Sequence, residues 1–154
     1  IFSSQACRFY LPFDLKFLEH LTPLEYLSKY CWLSSRRQYQ FKRVFDKYQN
    51  KFYLFDSSNL YLSLKDLHKD NLTLEYFDVL CRSIGLNDED IQLTFSTYAG
   101  IAGLSERILY KHQDDEQTAR DSVEICDFYS LDRKLDGLEI SQAMRQLLNV
   151  LQKK

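Results

Sequence analysis

The chain has little of what interrupts helices. Its 154 residues include only four glycines and two prolines, so few positions are suited to tight turns. Hydrophobic residues make up 45% of the sequence, with eleven Phe and eleven Tyr, and a chain of this length can bury most of its apolar surface. This composition excludes a disordered or loop-dominated protein. We therefore expect helices that pack around an aromatic core.

The sequence also lacks an excess of charge of either sign. It has 20 basic and 22 acidic residues, for a net charge of −2. No overall field would draw such a chain onto nucleic acid or an anionic membrane, so we do not expect nucleic-acid binding. The longest apolar runs fall far short of the roughly 20 residues that a membrane-spanning helix requires, and no span is expected.

Local motifs of enzyme chemistry are lacking as well. The sequence has no GxSxG motif, no Walker loop and no HExxH motif, and its three histidines lie far apart at His20, His68 and His112. The chain is therefore predicted not to be an enzyme. A catalytic function would require His68 or His112 to meet Cys81 or Cys126 in a cleft.

The cysteines are scattered and form neither a CxxC pair nor zinc-ligand spacing. They are Cys7, Cys31, Cys81 and Cys126. Buried free thiols are a simpler interpretation than two disulfides, because this density is low for a stapled secreted domain. We expect a cytoplasmic location, with the secretory pathway as the alternative, in which the glycosylation sequon at Asn71 would matter.

Cap signals and periodicity divide the first half into helices. Thr22, Pro23 and Glu25 form a capping-box pattern that predicts a helix to about Trp32. The strongest periodicity follows a cap at Ser34 or Ser35 and predicts a long amphipathic helix. Its apolar face has these members: Phe41, Val44, Phe45, Tyr48, Phe52 and Phe55.

More helices are predicted in the second half. One runs from about Thr73 to Ile84 and ends at Gly85 in a left-handed conformation. Another is capped by Asn87 and ends at a break over residues 99–103. The final helix carries this apolar face: Ile140, Met144, Leu147, Leu148 and Leu151.

Residues 127–140 resemble an EF-hand, which consists of a helix, a twelve-residue loop and a second helix. With Glu139 at loop position 12, Leu135 takes the aliphatic position 8. The sequence from Leu135 to Ser141 looks like the loop end of a hand in a small family of secretory-pathway EF-hand proteins that help export cargo. The metal ligands that the resemblance implies are Ser130, Asp132, Asp136 and Glu139.

A rival register starts the loop at Asp132 and places Gly137 at the sharp-turn position 6. It also places Lys134 at position 3 and Ala143 at position 12, whereas the first register has Phe128 at position 1. Each register lacks at least one anchoring acid. The expected cofactor is therefore none, and Ca²⁺ is the alternative.

Two further segments are similar to worn hands, with Leu62 and Leu104 at the aliphatic position. The resemblance therefore predicts an all-α fold of tandem degenerate EF-hand helix-loop-helix pairs over residues 35–154. Residues 1–34 are predicted to form an N-terminal helical extension. Hands of this kind also occur in regulatory subunits of a large protein phosphatase family.

The predicted function is a protein-interaction or regulatory module, such as an adaptor, whose hands work mostly without calcium. An apolar groove is expected to hold a helix, either from residues 1–34 or from another protein. The groove residues are Phe77, Leu80, Ile84, Met144, Leu147 and Leu148. Basic residues of the amphipathic helix form either a second docking surface or a solvated face, and the candidates are Arg36, Arg43 and Lys47. The alternative function is a calcium sensor or buffer that uses the C-terminal loop.

Overall fold

The computed structural model describes residues 7–49, 54–55, 57–86, 91–110 and 128–152. Most of these residues are helical, which confirms the all-α class. In chain order the elements are β1 (Cys7–Phe9), a 3-10 helix (Leu15–His20), α1 (Pro23–Lys29), β2 (Cys31–Leu33), α2 (Ser35–Tyr48), β3 (Leu54–Phe55), α3 (Ser57–His68), a 3-10 helix (Lys69–Asn71), α4 (Leu74–Ile84), β4 (Ile91–Gln92), α5 (Phe95–Tyr110), α6 (Leu131–Lys134) and α7 (Gln142–Gln152).

The capping box at the start of α1 is present as predicted. The Glu25 backbone N–H donates to Thr22 Oγ1 at 3.2 Å, and the Thr22 N–H donates to the Glu25 carboxylate at 3.1 Å. The helix ends at Lys29, however, and does not reach Trp32. Residues 31–33 instead pair antiparallel with β1, an interaction between distant segments that local cap signals do not reveal.

Two other predicted boundaries are confirmed. Ser34 caps α2, since its Oγ accepts from the Arg37 N–H at 3.3 Å. Gly85 ends α4 with a φ of 68°, which glycine adopts without the strain that a Cβ would cause. The predicted continuation of the α2 face to Phe55 is wrong, because α2 ends at Tyr48 and Phe55 belongs to β3. Phe52 lies outside the described residues.

The core is built around α5, which packs against α1, α2, α4 and α7. Burial of each large apolar side chain there contributes roughly 1.5–3 kcal/mol to stability. The largest side chains that are almost completely buried are Phe9, Tyr26, Phe41 and Tyr98. The described interior thus contains several large aromatic side chains among a larger number of aliphatic ones.

The predicted break at residues 99–103 is wrong, because α5 is one continuous helix through this segment. Its two glycines allow close approach of neighbouring chain. A Cβ added at Gly100 would overlap the Leu27 carbonyl oxygen and would lie 2.7 Å from the Leu27 Cβ. Small residues here bring α1 close to α5, and they do not end the helix.

Two helix-strand-helix units, α2–β3–α3 and α4–β4–α5, are joined by the antiparallel pairing of β3 with β4. This corrects the predicted loop registers, because Leu62 lies inside α3 and Leu104 inside α5. The helix expected from Asn87 is also wrong over residues 91–94. Ile91 and Gln92 form β4, and α5 begins only at Phe95. Asn87 itself lies outside the described residues.

No helix in the described part of the chain is long and apolar enough to cross a membrane.

Candidate interaction surface

The six predicted groove residues lie in the core, with at most 7% of any of them exposed. They are Phe77, Leu80, Ile84, Met144, Leu147 and Leu148. Helices α4 and α7, which carry them, contact one another, and α1 contacts both. Of the two predicted occupants of the groove, a helix from residues 1–34 or a helix from another protein, the structure shows the first: α1 packs against α4 and α7. The prediction that these six residues bind a second protein is corrected, since their side chains are not accessible.

The basic side chains of α2 are in different electrostatic states. Lys47 Nζ lies 2.9 Å from Asp66 Oδ2, and this ion pair lowers the pKa of the Asp66 carboxyl group. Arg37 forms a 2.6 Å ion pair with Glu106 of α5. Arg36 has no carboxylate partner among the residues that the structure describes. Part of the basic run thus joins helices together, whereas Arg36 is exposed on the surface of α2.

Three exposed residues form one stripe along α2, which we call the α2 stripe: Arg36, Tyr39 and Arg43. Their spacing of three and four residues places them on the same helical face. The side chain of Tyr39 is 65% exposed, and the Arg43 guanidinium carbon lies 5.9 Å from its ring centroid. The stripe therefore presents an aromatic ring between two cations.

A second exposed aromatic residue lies close to the start of α2. Trp32 is 46% exposed and precedes the Ser34 cap by two residues. It pairs with Arg8 across the β1–β2 ladder, and the Arg8 guanidinium carbon is 5.4 Å from its ring centroid. Sequence reasoning missed both Tyr39 and Trp32. The available signals were that Trp32 is the chain's single Trp and that Tyr39 falls off the apolar face.

His68 is buried in the interior beside Ser105. Its Nε2 lies 2.8 Å from Ser105 Oγ, and the Ser105 hydroxyl donates to the Ala102 carbonyl at 2.6 Å. Because that hydroxyl proton is committed, His68 Nε2–H is the donor to Ser105. Burial, together with the charge of Arg37, lowers the pKa of His68 to about 4, so the imidazole is neutral at neutral pH.

The Arg37–Glu106 ion pair is adjacent to this histidine, because Glu106 follows Ser105, the hydrogen-bond partner of His68, in α5. Burial raises the pKa of the Glu106 carboxyl group, and the positive charge of Arg37 partly offsets that rise. His68 and Ser105 are both at most 4% exposed. The hydrogen bond between His68 and Ser105 satisfies these two buried polar groups between α3 and α5. His112 and Cys126, named above for a catalytic cleft, lie outside the described residues.

The C-terminal loop separates its polar residues from its apolar ones. Asp132, Asp136 and Glu139 are exposed, and Leu135 is buried. Ser130 adopts the left-handed conformation and precedes α6, so a helical turn occupies the middle of the predicted loop. In the described ranges, no group of three or more His, Cys, Asp or Glu is placed to hold a metal ion. The prediction of no cofactor, with calcium binding by this loop as its alternative, stays untested.

The loop is also attached to the N-terminal region. The Glu139 backbone N–H donates to Glu19 Oε2 at 2.7 Å, across 120 residues of sequence. Leu135 follows α6 in a helical backbone conformation and is not part of either strand pair in the described residues.

No protein-family model, no curated protein and no solved structure matches this chain. Membership of an EF-hand family therefore stays a prediction that is based on the sequence, above all on residues 127–140.

Proposed function

We propose that this protein is a calcium-independent interaction module that binds an acidic segment of another protein through the α2 stripe. The observation that carries the proposal is the exposed Tyr39 between Arg36 and Arg43. Tyr, Trp and Arg are enriched among the residues that dominate binding energy at protein interfaces. The half-exposed Trp32 near the start of the same helix extends this chemistry.

The proposed partner is acidic because of the local charge. The chain as a whole carries a net charge of −2, so it attracts anions only where its cations are grouped. Within α2, Lys42 pairs with Asp46 at 3.1 Å and Lys47 pairs with Asp66. Among the residues that the structure describes, no carboxylate forms an ion pair with either arginine of the stripe. A carboxylate-rich segment would complement them and would cover the Tyr39 ring.

The proposed scaffold is a pair of degenerate EF-hands, α2–β3–α3 and α4–β4–α5. Two helix-strand-helix units joined by a short antiparallel ladder support this proposal, since paired hands have that arrangement. The ion pair between Arg37 and Glu106 connects the first unit to the second. Such a scaffold would hold α2 rigid and present the stripe without a bound ion, and the proposal includes no catalytic activity.

A photo-cross-linking amino acid placed at Tyr39 tests this function in native lysate. The matched control is the same substitution at Tyr129, which is 72% exposed but lies outside the stripe. We expect a cross-link to a protein from position 39 only, in a peptide rich in Asp and Glu, and we expect it to survive a calcium chelator. Equal labelling from both positions, or a cross-link to nucleic acid, would contradict the proposal.

Charge reversal then measures the contribution of the stripe with the captured partner. The double variant R36E/R43E should weaken binding at least about tenfold, because charge-assisted hydrogen bonds contribute about 1.5–3 kcal/mol each. The control K16E/R133E makes the same net charge change at two exposed positions outside the stripe. Loss of the cross-link on chelation would instead favour the alternative function, a calcium sensor or buffer.

A further inference from the structure

Two cysteines that are distant in sequence meet at the β1–β2 ladder. Cys7 pairs with Leu33, and Phe9 pairs with Cys31, so these four side chains share one face of the ladder. The Sγ atoms of Cys7 and Cys31 lie 3.5 Å apart. A disulfide requires about 2.05 Å between its sulfurs. Cys7 and Cys31 are diagonal neighbours on the ladder, so bond formation would require rotation of both side chains and a local adjustment of the two strands.

The third component of this site is Gly103 of α5. A Cβ at this position would lie 2.6 Å from the Cys7 Sγ and 3.2 Å from the Cys31 Sγ. Glycine inside a helix destabilises the helix relative to alanine, so its presence here needs a packing reason. The absence of a Cβ leaves the space that the two sulfurs occupy.

We propose that Cys7 and Cys31 form a reversible disulfide by exchange with a low-molecular-weight disulfide such as oxidised glutathione. The site is distinct from the α2 stripe and does not depend on the proposed function. Its state would follow the compartment. The pair would stay reduced in the cytoplasm, the expected location, and would be oxidised in the secretory pathway, the alternative.

The two sulfurs have different roles in the exchange. Cys31 is partly exposed and reacts first. Its thiol releases a proton, the thiolate attacks one sulfur of oxidised glutathione, and a glutathione thiolate leaves and takes up a proton. Cys7 is 7% exposed and resolves the mixed disulfide. It loses its proton and attacks the Cys31 sulfur, and a second glutathione leaves. Two protein thiols are oxidised, and one glutathione disulfide is reduced to two glutathiones.

The order of attack agrees with the surroundings of Cys7. The hydrogen bond with Cys31 is the largest cause that raises the pKa of the Cys7 thiol, and burial is the second. Once Cys31 carries glutathione, that thiol is no longer present as a partner, and the Cys7 sulfur lies beside the bond that it must attack. Burial still disfavours the Cys7 thiolate, so the second stage should be the slower one.

The bond would fix β1 to β2 and would close a loop that contains the first 3-10 helix and α1. Because a cross-link restricts the unfolded chain, a loop of this size should raise the Tm by about 6–12 °C. Helix α1, which packs against α4 and α7, would then lie within a covalently closed loop.

The test uses the full chain with the variant C81S/C126S, in which Cys7 and Cys31 are the remaining thiols. Incubation with oxidised glutathione should give a product that is lighter by two hydrogens and carries no glutathione. A non-reducing peptide map should join residues 7 and 31, and the Tm should rise as stated. Differential alkylation of the wild-type protein provides the same readout if the variant does not fold.

Single substitutions separate the two stages. C7S should stop at a glutathione adduct on Cys31, whereas C31S should react slowly and form no intramolecular bond. The proposal would be overturned by a stable glutathione adduct on the C81S/C126S variant, by both thiols remaining unreacted at high oxidised glutathione, or by a linkage to Cys81 in the wild type. None of these results bears on the α2 stripe.

Discussion

Helix α5 and the C-terminal loop, residues 128–141, differ in the exposure of their distinctive residues, which are buried in α5 and exposed in the loop. Gly100, Ser105 and Glu106 of α5 all make contacts that are shielded from solvent. The acids of the loop, which carry the resemblance to an EF-hand, are exposed, as at Asp136 and Glu139. The recognisable motif and the structurally constrained contacts therefore occur in different regions.

This difference shows which region determines stability. In the loop, the buried residues are apolar, such as Leu131, Leu135 and Ile140, and they would pack equally well without an ion. In α5, Ser105 donates to the Ala102 carbonyl, Glu106 pairs with Arg37, and the missing Cβ of Gly100 leaves room for Leu27. Perturbing α5 should be costly, and perturbing the acids of the loop should cost little.

Acid should destabilise the α5 region through His68. The imidazole has an ordinary pKa of 6.5 and a pKa of about 4 in the folded protein, so the unfolded state binds more protons between those values. The contribution of the neutral His68 to the free energy of unfolding is therefore fully present above pH 6.5 and is lost as the pH falls toward 4 and below. The total loss is about 3 kcal/mol. Chemical denaturation at several pH values measures this slope.

The variant His68→Gln should flatten that slope, since an amide can still donate to Ser105 but does not titrate. His20→Gln, which makes the same substitution at an exposed position, is the matched control. Glu106 acts in the opposite direction, because its raised pKa makes the folded state bind more protons just above its ordinary value of 4.5. An unchanged slope in His68→Gln would contradict the buried neutral imidazole.

Alanine at Gly100 should be the next most harmful change. A methyl group there meets the backbone of Leu27, which cannot move without displacing α1 from α5. We expect a loss of about 1–3 kcal/mol, although alanine is the better helix former. Gly103→Ala is the matched comparison, since its closest neighbours are side-chain sulfurs that can rotate. Urea unfolding of both variants decides the order, and stabilisation by Gly100→Ala would sink the packing argument.

Local signals were reliable where a boundary depends on adjacent residues. The Thr22 box, the Gly85 cap and the apolar face of α7 from Met144 to Leu151 follow from spacing alone. Ile140, predicted on the same face, is buried but precedes that helix. Signals failed where two distant segments interact. Cys31 and Ile91 were assigned to helices or to their ends because nothing nearby reveals a strand partner, which lies 22 or more residues away in β1 or β3. Glycines in α5 were ambiguous, since the same residue type ends helices and permits close packing.

The candidate site could be predicted only in part, for a related reason. Apolar periodicity identified Phe77 and Leu147 as residues that are covered, but it cannot tell whether the cover comes from the same chain or from another protein. The structure places them in the core, beside α1. Charge pointed to Arg36 and Arg43, whereas Tyr39 was missed because a solvent-facing tyrosine has no periodic pattern to mark it.

Calcium should have the smallest effect, and it tests the C-terminal side of the comparison. Stabilisation by a ligand grows as RT ln(1 + [L]/Kd), so a loop that lacks an anchoring acid should give no shift in Tm at micromolar calcium. The variant D132N/D136N/E139Q should unfold within about 0.5 kcal/mol of the wild type, because these side chains are exposed. Leu135→Ala, a buried position in the same loop, is the control that should clearly lower the Tm. A rise of many degrees with calcium, lost in the triple variant, would show that the loop acids hold an ion and would move the functional site from α2 to the C-terminal loop.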